Sequence, residues 1–343
     1  MNKEKLIYSL LCVLLFIYIV LRSIHVPLVH DEVATYVHFI LPGEFIPGES
    51  ITDANNHHLN SFLSILCDRL FGTTPLVLRL PNILFFLVMA IYTKRLADQF
   101  DDGLLRWALI FSLLGSHYLM EFHGLCRGYG MAMACFTACL YHIHLFTEKT
   151  DLWPYLGFIF FMALGLSASL TFLFPYLILF ISSLYFLIRY QNSLWNYLLS
   201  VLGAGVIYVA IRVSLWLNEG GALYYGAEGS FWEKTVGTLT TLVAGENILF
   251  PYIFTAMALF ALIPLLRVLP KIMDTAILKS YLFHLAFFGS IIGIILSHFI
   301  MGTHYPEDRV AVYLYPLLIC AFLTSINMLQ SVWPAIRWTA VVL

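Results

Sequence analysis

Charge is scarce in this chain. Asp, Glu, Lys and Arg make up 11% of its 343 residues, against about 25% in a soluble domain. Apolar side chains make up 61% of the chain, and mean hydropathy is +0.86. A chain so poor in charge cannot dress a water-facing surface, so a soluble domain is excluded and an all-α polytopic membrane protein is predicted. No basic patch of the kind that binds nucleic acid is present. Paired cysteine motifs are missing too: the six cysteines contain no Cys-x-x-Cys, which excludes a zinc knuckle or a redox pair. Cys12, Cys135, Cys139 and Cys320 lie inside apolar segments and read as inert buried thiols. A signal peptide is not expected, because the first apolar run, residues 6–28, exceeds the usual h-region and no small-residue cleavage site follows it.

What is present is a succession of apolar runs. About ten transmembrane spans are predicted, at residues 6–28, 76–96, 104–120, 128–146, 153–167, 170–188, 194–217, 238–266, 281–301 and 310–328. Lys3, Lys5, Lys94, Arg95, Lys149, Arg189, Arg267 and Lys271 then fall on one side, which the positive-inside rule makes the cytoplasm. The few acids and many of the histidines fall on the other. Asp31 and Glu32 sit directly after the first span, and residues 55–58, 121–127, 218–237 and 304–309 join them on the outer side. Transporters place polar groups near the bilayer midplane, often on broken helices. Polar groups gathered at one face favour an active site at the water interface instead.

The connector between the first two spans, residues 29–75, is far longer than most loops and is therefore expected to be functional. Within it, residues 60–70 carry apolar side chains at helical spacing and predict a short helix lying along the membrane surface. The loop 218–237 holds five glycines interleaved with Tyr224, Tyr225, Phe231 and Trp232, which suits either a lid over a sugar or an aromatic interface belt. His30, His57, His58, His117, His123 and His304 leave a divalent metal open as a cofactor, with Asp31, Glu32 or Glu121 as further ligands. No His-x-x-x-His or similar ligand spacing supports one.

Taken in order, several of these segments resemble the GT-C glycosyltransferases. The closest likeness is to the branch that uses polyprenyl-phosphate sugars, with the protein O-mannosyltransferases and the bacterial lipid A aminoarabinose transferases. The resemblance rests on Asp31-Glu32 after the first span and on His57-His58 before the surface helix. It continues with Phe71-Gly72, Leu78-Arg79-Leu80-Pro81, Arg127-Gly128-Tyr129, and Pro306-Glu307-Asp308-Arg309 followed by Pro316. It covers nearly the whole chain as a single domain, 1–343. Two departures stand out. Where the family often shows His-Pro-Pro, this chain has His57-His58-Leu59. Many members also continue into further spans and a soluble outer domain, which implies either a compact member or a chain that runs on past Leu343.

The resemblance implies a GT-C-type helical bundle in a bacterial inner membrane, with its site on the outer face. The implied reaction is an inverting transfer of a hexose or pentose from a polyprenyl-phosphate donor to a hydroxyl or amine of a protein, lipid or glycan. A lipid phosphate is already a fair leaving group, so the chemistry asks mainly for a base near the acceptor. One of Asp31 and Glu32 can serve; the resemblance assigns Asp31 as base and Glu32 as the residue that orients the acceptor or a partner arginine. Arg127 and Arg309, at helix mouths, are the candidate clamps for the phosphate, since the planar guanidinium fork suits its oxygens. Candidate substrate contacts are His57, His58, Glu121, Tyr129, Tyr224, Tyr225, Trp232, His304 and Glu307. The alternative reading is a polytopic lipid or solute transporter or flippase, which leaves the acidic pair without a task.

Overall fold

The computed structural model describes residues 3–49, 51–190, 193–222, 226–272 and 274–342. It is an all-α multi-pass membrane protein. In chain order the helices are α1 (Lys3–His25), α2 (His30–Thr35), α3 (His58–Phe71), α4 (Pro75–Ala97), α5 (Gly103–Leu114), α6 (His117–Glu121), α7 (Gly128–Lys149) and α8 (Leu152–Ala168). They continue with α9 (Leu173–Arg189), α10 (Leu194–Glu219), α11 (Thr238–Ala244), α12 (Phe250–Val268), α13 (Thr275–Ser280), α14 (Leu282–Met301) and α15 (Leu314–Leu329). Among the described residues, seven segments are long and apolar enough to cross a membrane: α1, α4, α7, Leu170–Arg189, α10, Phe250–Lys271 and α14. The helices α5, α8 and α15 are apolar but shorter.

Local sequence sets the helix ends. Thr74 caps α4 by accepting from the Val77 N–H, with Pro75 in the first turn, and Asp102 caps α5 by accepting from the Leu104 N–H at 2.7 Å. Two predicted spans are interrupted. The segment 104–120 stops at Gly115 and restarts as α6 behind a Ser116 cap. The segment 238–266 divides into α11 and α12 at Gly245, whose φ of 90° only glycine adopts without strain.

The core follows from which helix is wrapped. α7 lies between α4 and α8, and 78% of its apolar window is buried, against 17% for α1, which leans on α4 and turns the rest outward. One end of the bundle is tied by ion pairs that join distant helices: Glu4 with Arg106 and Lys94, Glu148 with Lys279, and Asp102 with Arg337. The opposite end holds α2, α3, the starts of α4 and α7, and the segment 305–309. A helix, α3, covers the predicted segment 60–70. The loop 218–237 is not free at that end. Two residues of it, Gly226–Ala227 (β1), pair antiparallel with Tyr305–Pro306 (β2), and Thr235 Oγ1 donates to the Pro306 carbonyl at 2.7 Å. Tyr224 and Tyr225 lie outside the described residues.

Candidate active site

The link 26–29 turns the chain from α1 into α2, and the acidic pair occupies the first turn of α2. Successive residues of a helix point about 100° apart, so the two carboxylates face different surroundings.

Glu32 faces inward and is fully buried. Its Oε1 accepts from Arg79 Nε at 2.8 Å and from the Cys126 N–H at 2.6 Å. Its Oε2 accepts from Arg79 Nη2 at 2.6 Å and from the Val29 N–H at 2.9 Å. Arg79, equally buried, spends its remaining donors on the carbonyls of Ser23, Val26 and Pro27. Carboxylate and guanidinium are thereby saturated. Glu32 has no lone pair left for an acceptor molecule, so it is not available as a base; the arginine it orients is Arg79.

Asp31 faces Arg127 and Arg309 instead. Arg309 Nη2 donates to Asp31 Oδ2 at 2.8 Å, and Arg127 Nη2 stands 3.6 Å from the same oxygen. Burial would raise the Asp31 carboxyl, but Arg127, Arg309 and His30 outweigh it and hold the group below its ordinary value. The Tyr129 ring lies 5.8 Å from both guanidinium carbons, within cation–π range. Asp31 thus faces two guanidiniums, and Asp308 is a second carboxylate whose charge acts on Arg309. Arg127 is almost entirely buried, and its Nη1 has no hydrogen-bond partner. Buried donors are nearly always paired, so this atom is open to an acceptor from outside the chain.

Two asparagines position Arg127, and neither stood out in the sequence. Asn55, held in a turn by Asp53, accepts from Arg127 Nη2 at 3.0 Å. Asn82, buried in α4, donates to the Arg127 carbonyl at 2.6 Å and accepts from the Met131 N–H at 3.1 Å, which fixes the start of α7. The signal that could have found Asn82 is a buried amide inside an apolar span. Asn55 lay in the outer polar segment 55–58 without a role of its own assigned.

The remaining candidates divide. His57, buried, packs edge-on against Tyr129 with ring centroids 4.9 Å apart, and so belongs to the site. His58 lies next to it and lines both a cavity and an apolar groove. Glu121 does not join them: Arg22 at 2.9 Å and His117 at 3.1 Å hold it beside α1. Trp232 packs on Tyr252, and His304 is exposed. Glu307 lines a separate open cleft with Glu233, Glu246 and Asp308. Among the described residues, no group of three His, Cys, Asp or Glu side chains is arranged to hold a metal ion.

No protein-family model, curated protein or solved structure matches the chain.

Proposed function

We propose that the chain is an inverting glycosyltransferase that takes its sugar from a polyprenyl phosphate. The observation that carries this reading is Asp31, a carboxylate in contact with two guanidiniums, one of which keeps a buried donor unpaired. An acceptor hydroxyl attacks the anomeric carbon while its proton passes to an Asp31 oxygen. The bond from that carbon to the phosphate oxygen breaks, and its electron pair leaves on the lipid phosphate. Arg127 and Arg309 meet the charge that gathers there. As they engage the phosphate they release Asp31, whose proton affinity then rises toward that of an ordinary carboxylate. The donor thereby arms the base.

Two further features support a lipid-linked substrate. α7 begins at Gly128, directly after Arg127, so the positive end of its dipole faces the site. An apolar groove of about 700 Å³, lined by Phe45, Ile46, Leu166, Val201, Leu202 and Val209 among others, runs up to His58 beside that site. A prenyl chain is the kind of tail that such a groove takes.

Transfer of radiolabelled sugar from a polyprenyl-phosphate donor by the protein in detergent tests the reading. Binding of the lipid phosphate without turnover would make the protein a carrier or flippase instead. Arg309→Lys is expected to slow transfer on the order of 10–100-fold, because a charged hydrogen bond worth about 1.5–3 kcal/mol loses its two-point geometry. Equal rates at equal expression would reduce Arg309 to a headgroup anchor.

The proposed outer location of the site is tested separately. In a background without native cysteines, Glu49→Cys is expected to react with an impermeant thiol reagent added to intact cells, and Gln99→Cys only after lysis. Both positions are exposed, at opposite ends of the bundle, and the Lys94–Arg95 end is the cytoplasmic one by charge. The reverse labelling pattern would put Asp31 in the cytoplasm, where nucleotide sugars are available, and would end the case for a lipid-linked donor.

A further inference from the structure

His57 carries a second unpaired atom, of the opposite kind to Arg127 Nη1. The imidazole is 5% exposed, and its Nδ1 lies 2.8 Å from the Ala168 carbonyl oxygen. A carbonyl can only accept, so the proton sits on Nδ1 and Nε2 keeps its lone pair in the neutral ring. Burial, with the charge of Arg127 close by, pushes this histidine well below the usual imidazole range, which agrees with that assignment. Nε2 has no protein partner.

The arrangement is built in by a glycine. A Cβ on Gly128 would stand 1.9 Å from the Ala168 oxygen and 2.6 Å from His57 Nδ1, so no other residue lets α7 pass this close. The ring also lines a cavity of about 340 Å³, with Tyr129, Asn56, Ser169, Thr171 and Asn218 among its walls. That volume falls within the range of small-molecule sites.

A buried acceptor at His57 and a buried donor at Arg127 are both packed against Tyr129, and they suit one ligand with complementary ends that reaches from the cavity to Arg127, which does not itself line it. It must present an anion to the arginine and a hydrogen-bond donor to the imidazole. We propose that His57 Nε2 accepts a hydrogen bond from a ring hydroxyl of the donor sugar, and that the cavity selects neutral sugars over amino sugars. This rests on the transferase reading and names its substrate class. A sugar ammonium could also donate to Nε2, but among the described residues no carboxylate lines the cavity, so the ammonium would be buried there without a counter-charge.

The test is binding by the full-length protein in detergent, using polyprenyl phosphate alone and a panel of polyprenyl-phosphate sugars. The panel holds neutral hexoses and pentoses, their monodeoxy analogues and their amino counterparts. At least one neutral sugar is expected to bind about tenfold tighter than the bare lipid phosphate, and tighter than its amino counterpart. One deoxy analogue is expected to lose that gain. His57→Asn places an amide where Nδ1–H was and removes the Nε2 acceptor. It is expected to abolish the gain of the sugar over the bare lipid phosphate. A gain that survives His57→Asn, amino sugars bound as well as neutral ones, or no gain from any sugar would each overturn the proposal. The last would mean that a water fills the position. If His57→Asn fails to fold, the deoxy and amino series on the unaltered protein still decides. Failure to bind even the bare lipid phosphate is a different result and sinks the transferase reading itself.

Discussion

Asp31→Asn is expected to reduce sugar transfer by about 10²–10⁴-fold, the usual contribution of a general base. Binding of the lipid phosphate should hold or tighten. The amide keeps the size of the carboxylate and can still accept from Arg309, so the site should survive. What it loses is the charge that competes with phosphate for Arg127 and Arg309. Opposite movements of turnover and affinity separate a base from a merely structural acid, whose loss would weaken both. The pH dependence carries the same logic. Before donor binds, the two guanidiniums hold the Asp31 carboxyl below its ordinary value against the opposing effect of burial. The acid limb of kcat/KM, which reports the free protein, should therefore fall only at low pH. Once phosphate occupies the arginines, the carboxylate loses that support, and the acid limb of kcat should lie at higher pH. Activity of Asp31→Asn within a few-fold of the native protein would remove Asp31 from the role.

Much of this end of the molecule was legible in the sequence, because a charge in so apolar a chain has few reasons to be there. The acidic pair, Arg127 and Arg309 could be singled out from position alone, and the structure brings the two arginines to 3.6 and 2.8 Å from Asp31. What stayed hidden depends on partners distant in the chain. Asp31 and Glu32 look alike as text, and only the helical twist of α2 sends one to Arg127 and Arg309 and the other to Arg79. Glu121 shares the apparent side of the others, but Arg22 at the end of α1 reaches it first. His57 acquires its meaning from the carbonyl of Ala168, which no periodicity could have named. The interruption at Gly115 was hidden in a run whose hydropathy hardly changes, since composition reports burial and not backbone direction. The loop 218–237 offered aromatics and glycines, and its pairing with 305–306 is a matter of backbone that side chains do not announce.

The largest effect on folding is expected at Arg79. This residue and Glu32 are completely buried, and between them they tie the end of α1, the start of α2, α4 and the backbone at Cys126. Removing one member of a buried pair strands the other, which costs about 3–5 kcal/mol. Arg79→Met therefore leaves a charged Glu32 with two backbone donors where it had four bonds, and leaves three carbonyls without a partner. The expected result is loss of most folded protein, read as the monodisperse fraction after extraction and as its midpoint on heating in detergent. Arg79→Lys keeps the charge but has three donors in place of five, so it should fall between. The double change Arg79→Met with Glu32→Leu removes both charges and should recover part of the loss, though not all. The carbonyls of Ser23, Val26 and Pro27 and the N–H groups of Val29 and Cys126 still lack partners, because the pair serves backbone as well as itself. That incomplete rescue distinguishes a clamp on the backbone from a simple ion pair, which hydrophobic residues often replace at no cost. Full recovery in the double variant, or native stability in Arg79→Met, would show that the turn from α1 into α2 stands without this pair. The fixed direction of Asp31 would then need another cause.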